Sequence, residues 1–340
     1  LSMNTFPIIY QNIEEIDHYR NRFEESIKKI NQLLDKNKNY TKDEIVNALK
    51  SSTNFYLIYQ GRDDLYLQQN YARLIERLTK KVYPQFNTSI RKKVKMKHIR
   101  VGFVSSNLIF HSITKTYKNW ILKLDKNLFN TNVYYIGNKF DKTTNQIKKI
   151  ANNFFNHTNI DQLINKISKD NLDVLVYFDI GMHPKMQILG SLRLAPIQCN
   201  TWGHPVTSGL KNIDYFFSSK LIEKKDSQKY YSEKLIILPG IGTDYDNPNL
   251  SNIKKSINSK KKNKVIFLSY HSLFKMLPQD DHVFFDIVKK VPNCQFWFFK
   301  SKNKLVTSIF KTRLLKLSKE FKISFNKYFY FLPRCKYNEF

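Results

Sequence analysis

The chain has 340 residues, of which 41% are apolar, which is enough to build two or three compact units with buried cores. No window approaches about eighteen consecutive apolar residues, so the sequence predicts neither a membrane-spanning helix nor a membrane partner. The formal net charge is +29, and the three cysteines, Cys199, Cys294 and Cys335, form no CxxC pair. This cysteine pattern argues against a zinc site and fits a reducing, cytoplasmic location.

The positive charge comes mainly from lysine and does not by itself predict nucleic-acid binding. Arginine, whose planar fork suits phosphates and bases better, is scarce. Lys, Asn, Ile, Tyr and Phe are all frequent, as an AT-rich genome would produce. The densest basic runs, residues 91–97 and 260–264, lie where linkers are expected. We therefore expect solvated surface charge, and nucleic acid is not among the expected partners.

Residues 1–96 are predicted to form an α-helical segment. An apolar stripe recurs at helical spacing and comprises Ile16, Tyr19, Phe23, Ile30 and Leu34. Thr41 followed by Glu44 fits a capping box at the start of the next helix. The run "NFYLIYQG" at 54–61 fits either a helix end or a buried strand. Residues 64–78 again carry apolar side chains on one helical face.

Residues 97–250 are predicted to form a first α/β domain. Apolar runs without polar alternation occur at 99–106, 132–138, 174–181, 195–203, 215–219 and 234–240. Helical segments separate them, including an amphipathic stripe within 160–167. Buried runs of this kind are typical of a parallel sheet that helices cover on both faces.

Residues 251–264 are predicted to be a basic linker, and the α/β pattern restarts after it. Residues 265–340 contain strand-like runs at 265–270, 295–300 and 328–334, with two helical stripes between them. This order is half of a doubly wound domain. A sheet that ends after three strands leaves an apolar edge. We therefore expect the chain to be a fragment whose second domain is incomplete.

His111 is the first candidate for chemistry, because ligand groups in open α/β sheets lie just after strands. It follows the run at 99–106 by a few residues. A neutral imidazole there can accept a proton from an attacking hydroxyl. The alternative is a loop histidine that is hydrogen-bonded to the backbone.

The loop "TWGHPVTSG" at 201–209 is the second candidate. Gly203 and Gly209 allow backbone geometry and close approach that other residues forbid, and Pro205 stiffens the loop. Thr207 and Ser208 are predicted to cap a following helix whose N-terminus faces an anion. The alternative is a tight turn between a strand and a helix that binds nothing.

Lys275, within "YHSLFKMLPQ" at 270–279, is the third candidate. It follows the first strand of the second α/β unit, where its ammonium can balance charge that develops on a leaving phosphate. The alternative is an ordinary surface lysine. The sequence contains no HExxH motif, P-loop or GxGxxG, so neither metal chemistry nor nucleotide hydrolysis has its usual anchor.

Taken in order, these stretches resemble the catalytic region of protein O-linked N-acetylglucosamine transferases, including SPINDLY-like and bacterial members. The resemblance rests on "RVGFVSSNLIFHSIT", "LRLAPIQCNTWGHPVTSGLKNIDYFFSS", "YYSEKLIILPG" and "FLSYHSLFKMLPQ". These segments begin at residues 100, 192, 230 and 267. The resemblance therefore covers the chain from about residue 100 onward, in the family's order and spacing.

The resemblance implies a GT-B enzyme, with two Rossmann-like domains, that moves N-acetylglucosamine from UDP-N-acetylglucosamine to Ser or Thr hydroxyls of proteins. It implies inversion at the sugar and no metal or other cofactor. His111 would be the base or would orient the acceptor, and Lys275 would contact the diphosphate. The further implied substrate contacts are Gly203, His204, Pro205, Thr207, Ser208, Gly209 and Ser272. Residues 1–96 would be a connector from upstream tetratricopeptide repeats.

Three departures from the family limit this interpretation. His111 is flanked by Phe110 and Ser112, where members carry more polar asparagine and proline. His204 stands where tyrosine is common. The glycine-rich turn, His-Thr-Thr segment and Asp that grip uridine cannot be assigned, so we expect the fragment to be inactive alone. The alternatives are a related transferase with another sugar nucleotide or an Asn acceptor, and a non-catalytic protein-binding module.

Overall fold

The computed structural model describes residues 6–36, 39–51, 53–86, 97–247 and 264–334. The chain divides into two compact units. The first contains Phe23–Ile58 and Arg62–Asp246, and the second contains residues 6–22, 59–61 and 264–334. The predicted linker at 251–264 falls outside the described residues except for its last position. The domain boundaries given above stay predictions.

The N-terminal part of the chain is helical, as its apolar stripes predict. Helix α1 spans Ile13–Asp35, α2 spans Lys42–Lys50 and α3 spans Leu65–Val82. The predicted capping box is present at α2, where the Thr41 side chain accepts from the backbone N–H of Glu44. Phe55–Gln60 forms a 3₁₀ helix, so the strand alternative for this run is wrong. Helices α2 and α3 pack against α7 (Pro184–Ser191).

The first unit is built on a seven-stranded sheet in which each adjacent pair is parallel. The strands are β1 (Ile99–Ser105), β2 (Phe129–Tyr135), β3 (Asn153–Asn156), β4 (Val174–Tyr177), β5 (Ile197–Thr201), β6 (Tyr215–Ser219) and β7 (Lys234–Leu238). Helices α4 (Ser112–Leu122), α5 (Lys142–Ile150) and α6 (Ile160–Lys169) join α7 as its connections. The predicted parallel α/β sheet is therefore confirmed.

The strand order β3-β2-β1-β4-β5-β6-β7 reverses direction at β1. β1 pairs with β2 on one side and with β4 on the other. The connections that leave β1 and β4 therefore diverge, and in open α/β sheets ligands bind in the crevice that opens at this point. The sequence did not reveal this order, because β3, with the sequence "NFFN", lacks an apolar run long enough to be recognised.

The second unit contains a three-stranded sheet in the order β10-β9-β8. Both pairs are parallel, which confirms the predicted strand–helix–strand–helix–strand pattern. The elements are β8 (Val265–Ser269), α8 (His282–Lys290), β9 (Cys294–Phe299), α9 (Lys304–Glu320), α10 (Phe325–Tyr328) and β10 (Phe329–Leu332). Its core is strongly aromatic and includes Phe285, Phe298 and Phe310, all fully buried.

Residues 6–12, which precede α1, belong to the second unit. Ile9 is buried in that unit's aromatic core. Arg313 forms a buried bidentate ion pair with Asp281, at 2.7 Å for each nitrogen, and also donates to the Tyr10 carbonyl at 2.9 Å. Since buried ionic groups need complete hydrogen bonding, this contact holds the Tyr10 backbone in the second unit. Within the described ranges, no helix combines the length and apolarity that crossing a bilayer requires.

Candidate functional site

His111 ends the loop after β1 and serves as the N-cap of α4. Its Nδ1 accepts a hydrogen bond from the Ile113 backbone N–H at 3.3 Å. In the neutral ring the proton therefore sits on Nε2, which is left to donate. Burial lowers the pKa of the imidazole, and the negative charge of Asp179 opposes that shift. His111 thus has the backbone hydrogen bond that the alternative interpretation predicts. This bond uses Nδ1, so Nε2 can still bind a ligand.

Two side chains of α5 hold the loop just before His111. The Asp141 carboxylate caps α5 and accepts from the Phe110 backbone N–H at 2.6 Å. Thr144 Oγ1 donates to the Leu108 carbonyl at 2.6 Å. Burial works to raise the pKa of Asp141, but backbone N–H donors outweigh it and the pKa is lowered. Asp141 was not predicted from the sequence, although an Asp three residues before Thr144 at the start of an amphipathic stretch is an N-cap signal.

Asp179 is a second residue that the sequence analysis missed. It lies two positions after β4 ends and is fully buried. Its carboxylate accepts from Ser106 Oγ at 2.6 Å, from Asn107 Nδ2 at 2.8 Å and from Ser105 Oγ at 3.1 Å. Burial raises the pKa of Asp179, and these donors act in the opposite direction. The carboxylate therefore joins the ends of β1 and β4 at the point where the strand order reverses.

The glycines of the 201–209 loop have a structural cause. A Cβ on Gly203 would lie 1.9 Å from the Phe178 carbonyl oxygen and 2.9 Å from Ile113 Cδ1. Gly209 has φ +70°, and its Cβ would lie 2.5 Å from the Gln68 carbonyl oxygen. The protein's own backbone thus explains both glycines. The contact with Ile113 also brings Gly203 against the first turn of α4, beside His111.

The prediction that Thr207 and Ser208 cap a helix is wrong. Among the described residues between β5 and β6 there is no helix for them to cap. Their hydroxyls instead donate to the buried carboxylate of Glu233, which also accepts from the Ser208 backbone N–H at 2.8 Å. A buried carboxylate needs several hydrogen-bond donors, and Glu233 obtains them from a loop that lies about 25 residues earlier in the sequence. The loop is thereby tied to the residue that precedes β7.

His204 and Pro205, the first two of the three residues between Gly203 and Thr207, lie in different environments. His204 is buried and its ring stacks on Phe55, with centroids 5.5 Å apart. Burial lowers the pKa of His204 to about 4, so the ring is neutral near pH 7. Pro205 is exposed. Of this pair, the Pro205 side chain is the one accessible from solvent.

In the second unit, Lys275 ends the short 3₁₀ turn Leu273–Lys275 that follows β8. Its side chain is exposed, and its Nζ lies 5.6 Å from the centroid of the Tyr59 ring. Arg313 donates to the carbonyl of the next residue, Met276, at 2.9 Å, which fixes the end of this turn. Ser272 precedes the turn and lines an adjacent cavity, whereas Lys275 does not line it.

This cavity lies at the carboxyl ends of all three strands of the second unit. It has a volume of about 260 Å³ and is lined by residues 270–274 after β8, 299–302 around the end of β9, and Arg334 after β10. Lys300, Lys302 and Arg334 give the lining three positive charges. Such a lining suits an anionic ligand such as a phosphate. The sequence analysis missed these residues, although Lys300 ends the strand-like run at 295–300.

Comparisons with known proteins identify a family and several similar proteins. A family model described as "Glycosyl transferase family 41" matches residues 19–243. A probable UDP-N-acetylglucosamine–peptide N-acetylglucosaminyltransferase SEC of Arabidopsis thaliana is 24% identical over 222 residues, which are 62% of this chain and 23% of the relative. A probable transferase of the same description, SPINDLY of Oryza sativa subsp. japonica, is 28% identical over 167 residues, 47% of this chain and 18% of the relative.

The curated relatives are much longer than this chain, which spans about a quarter of their length or less. Among solved structures, a mutant O-GlcNAc transferase of Thermobaculum terrenum matches with a TM-score of 0.68. The match is 16% identical and covers 97% of this chain and 62% of that one. This likeness shows that the predicted GT-B fold class is correct. The family model also includes most of α1 and all of α2 and α3.

Proposed function

The chain belongs to glycosyl transferase family 41, and from that membership we propose that it is part of an inverting protein O-N-acetylglucosaminyltransferase. The observation that carries the proposal is the family match over residues 19–243, together with the names of the similar proteins. The donor is UDP-N-acetylglucosamine, and the acceptors are Ser or Thr hydroxyls of proteins. The proposal includes no metal or other cofactor.

The proposed reaction is a single displacement. The acceptor hydroxyl oxygen forms a bond to the anomeric carbon while the bond from that carbon to the diphosphate oxygen breaks. UDP leaves with the bonding electron pair, and the proton of the attacking hydroxyl passes to solvent water. Groups that are more strongly bound in this charge-separated state than in the bound substrate accelerate the reaction.

The second unit supplies positive charge for the leaving diphosphate. Lys300, Lys302 and Arg334 line the cavity at the strand ends, and Lys275 lies on the turn beside it. We assign the cavity to phosphate oxygens of the donor and Lys275 to charge that develops as UDP leaves. Ser272 contributes a hydroxyl to the same lining.

The geometry of His111 supports orientation of the acceptor rather than proton removal. Nδ1 accepts the N-cap hydrogen bond, so neutral Nε2 carries a proton and donates. To act as a base at Nε2, the ring would have to carry its proton on Nδ1 and lose that bond. Loss of an N-cap bond typically costs about 1 kcal/mol. We therefore assign Nε2 to an oxygen of the acceptor or of the sugar.

The same proposal assigns a role to the 201–209 loop. The Pro205 ring and the backbone of Gly203 lie in the loop that we assign to the donor sugar. Gly209, His204, Thr207 and Ser208 support that loop through the packing and hydrogen bonds described above. We also propose upstream tetratricopeptide repeats and a cytoplasmic location, which the two described free cysteines, Cys199 and Cys294, fit.

A donor panel tests the proposal. Because this chain is expected to be inactive alone, a full-length form that includes the uridine-binding region is incubated with peptide mixtures rich in Ser and Thr and with UDP-N-acetylglucosamine, UDP-glucose, UDP-galactose or GDP-fucose. Mass spectrometry then maps each product. We expect one N-acetylhexosamine on Ser or Thr, and only with the first donor. Transfer of another sugar, or modification of Asn, would contradict the assigned substrates, and binding of peptides without transfer would favour the non-catalytic alternative.

A further inference from the structure

Asp179 is fully buried, although it caps no helix. It does not cap α7, because His183 is the N-cap of that helix. Its carboxylate contacts instead go to Ser105, Ser106 and Asn107, which follow one another at the end of β1. Burying a carboxylate is costly unless every oxygen finds donors. The Asp179 carboxylate therefore holds the beginning of the loop that connects β1 to α4.

Asp173, at the other end of β4, provides a comparison within the same strand. It also bridges β4 to β1, since it accepts from the Arg100 backbone N–H at 2.8 Å. Asp173 is partly exposed and forms an ion pair with the Arg100 guanidinium. Among the described residues, no ion pair involves Asp179. The carboxyl end of β4 thus carries a buried carboxyl group whose hydrogen-bond donors, on Ser105, Ser106 and Asn107, are all neutral.

The loop that Asp179 holds leads directly to His111. Asp179 fixes Ser106 and Asn107 at its beginning, and the Asn107 carbonyl accepts from Thr114 Oγ1 in the first turn of α4. This turn is the one that His111 caps. A chain of hydrogen bonds therefore runs from the Asp179 carboxylate to the helix end that orients the His111 ring.

We propose that Asp179 is a positioning residue for the transferase reaction, whose buried carboxylate holds the Ser106–Asn107 turn and thereby keeps the His111 ring in its Nε2–H form. This inference rests on the function proposed above. Asp179 contacts neither substrate nor reacting atoms in this assignment. Asp179 acts through the loop that leads to His111. Because the N-cap hydrogen bond holds the His111 ring, its Nε2–H points in one fixed direction.

Asp179→Asn tests the proposal, because it replaces one carboxylate oxygen by an NH₂ group. That group cannot accept the hydrogen bonds that Ser105, Ser106 and Asn107 donate to the carboxylate. Asp173→Asn is the matched control at the opposite end of β4. Nitrogen-15 NMR of the ring, assigned with His111→Gln, reports the tautomer without any substrate. We expect the Nε2–H form of His111 in wild-type protein and in the control, and a mixture of tautomers in Asp179→Asn.

Transfer kinetics supply a second readout. Misplacement of a reacting group by about 1 Å can lower a rate about 100-fold. We expect Asp179→Asn to lower kcat to about that extent with an unchanged KM for the donor, and Asp173→Asn to leave both constants unchanged. Circular dichroism checks that each variant is folded. If Asp179→Asn does not fold, Asn107→Ala removes a single donor from the loop and should also mix the tautomers.

The outcomes separate this inference from the proposed function. A folded Asp179→Asn protein with wild-type ring signals would overturn the positioning role, whatever its activity. Equal effects of Asp173→Asn and Asp179→Asn on the ring would also overturn it, because general loosening of the sheet would then suffice. If the full-length wild-type protein transfers no sugar, the proposed function fails, and the ring signals of this chain still decide the role of Asp179.

Discussion

At the scale of single residues, burial decides what the histidines can do. His204 and His111 both follow strands of the first unit, but their environments differ. His204 is enclosed against Phe55, so it stays neutral, whereas His111 is half-buried and keeps Nε2 for a partner. The resemblance placed both near substrate. The environments support a chemical role for His111 and a packing role for His204.

The pKa of His204 predicts acid sensitivity. Its pKa is lowered to about 4 in the folded protein, mainly by burial, from about 6.5 in an unfolded chain. The stabilising contribution of the neutral ring is complete above about pH 6.5 and is lost as the pH falls toward 4. Since one pKa unit corresponds to about 1.4 kcal/mol, a shift of this size corresponds to about 3 kcal/mol.

Urea unfolding at several pH values measures this effect. We expect the free energy of unfolding of wild-type protein to fall between pH 6.5 and 4 by more than that of His204→Gln, whose side chain does not titrate. His157→Gln is the control, because His157 is exposed. Identical pH profiles for wild-type protein and His204→Gln would show that the ring is not held neutral.

At the scale of elements, close contact between the loops that follow β4 and β5 explains why residue 203 is a glycine. The loop after β5 passes so near the end of β4 that a Cβ on Gly203 would meet the Phe178 carbonyl. Gly203 does not have a positive φ, so space rather than backbone conformation restricts it. Gly240 shows the reverse, because its φ is +57° and no atom lies within 4 Å of its Cβ position.

These two glycines form a matched pair for mutation. Gly203→Ala forces backbone to move in a packed region, which typically costs about 1–3 kcal/mol. Gly240→Ala introduces backbone strain without a clash and should cost less, about 1 kcal/mol. Chemical denaturation of each variant gives the two values. A Gly203→Ala protein as stable as wild type would mean that the loop can move freely, and a ligand would again be needed to explain the glycine.

The elements also show how far sequence reasoning reached. Long apolar runs identified six of the seven strands of the first sheet, because buried parallel strands need apolar side chains on both faces. The same reasoning missed β3, which is short and ends in asparagine on both sides. It also placed His111 after a strand correctly. It could not find Asp179 or Glu233, because their partners lie 73 and 25 residues away along the chain.

At the scale of the whole molecule, the proposed reaction draws on residues of both units. His111 and the 201–209 loop belong to the first, and Lys275 with the basic cavity belongs to the second. The family model ends at residue 243, before the second unit's sheet begins. His111 therefore lies within the residues that the family model matches, and Lys275 lies beyond them.

Lys275→Ala tests that assignment in the transfer assay. Loss of one preorganised charge contact to a leaving group typically lowers the rate about 100-fold or more. We expect kcat to fall to that extent, because the contact strengthens as negative charge develops on UDP. Lys290→Ala, on the exposed end of α8, is the control for removing one lysine from a basic surface. Wild-type turnover of Lys275→Ala would remove this lysine from the mechanism.

The attachment of Ile9 and Tyr10 to the second unit bears on how the protein can be shortened. A truncated form that starts at residue 97 keeps the whole seven-stranded sheet and looks like a natural way to isolate the enzyme. It would nevertheless open a gap in the aromatic core at Ile9 and leave the buried Arg313 without one of its acceptors. It would also remove the packing of α2 and α3 on α7 in the first unit. Loss of activity in such a form would therefore follow from damage to both units, and would not show that the helices recruit protein substrates.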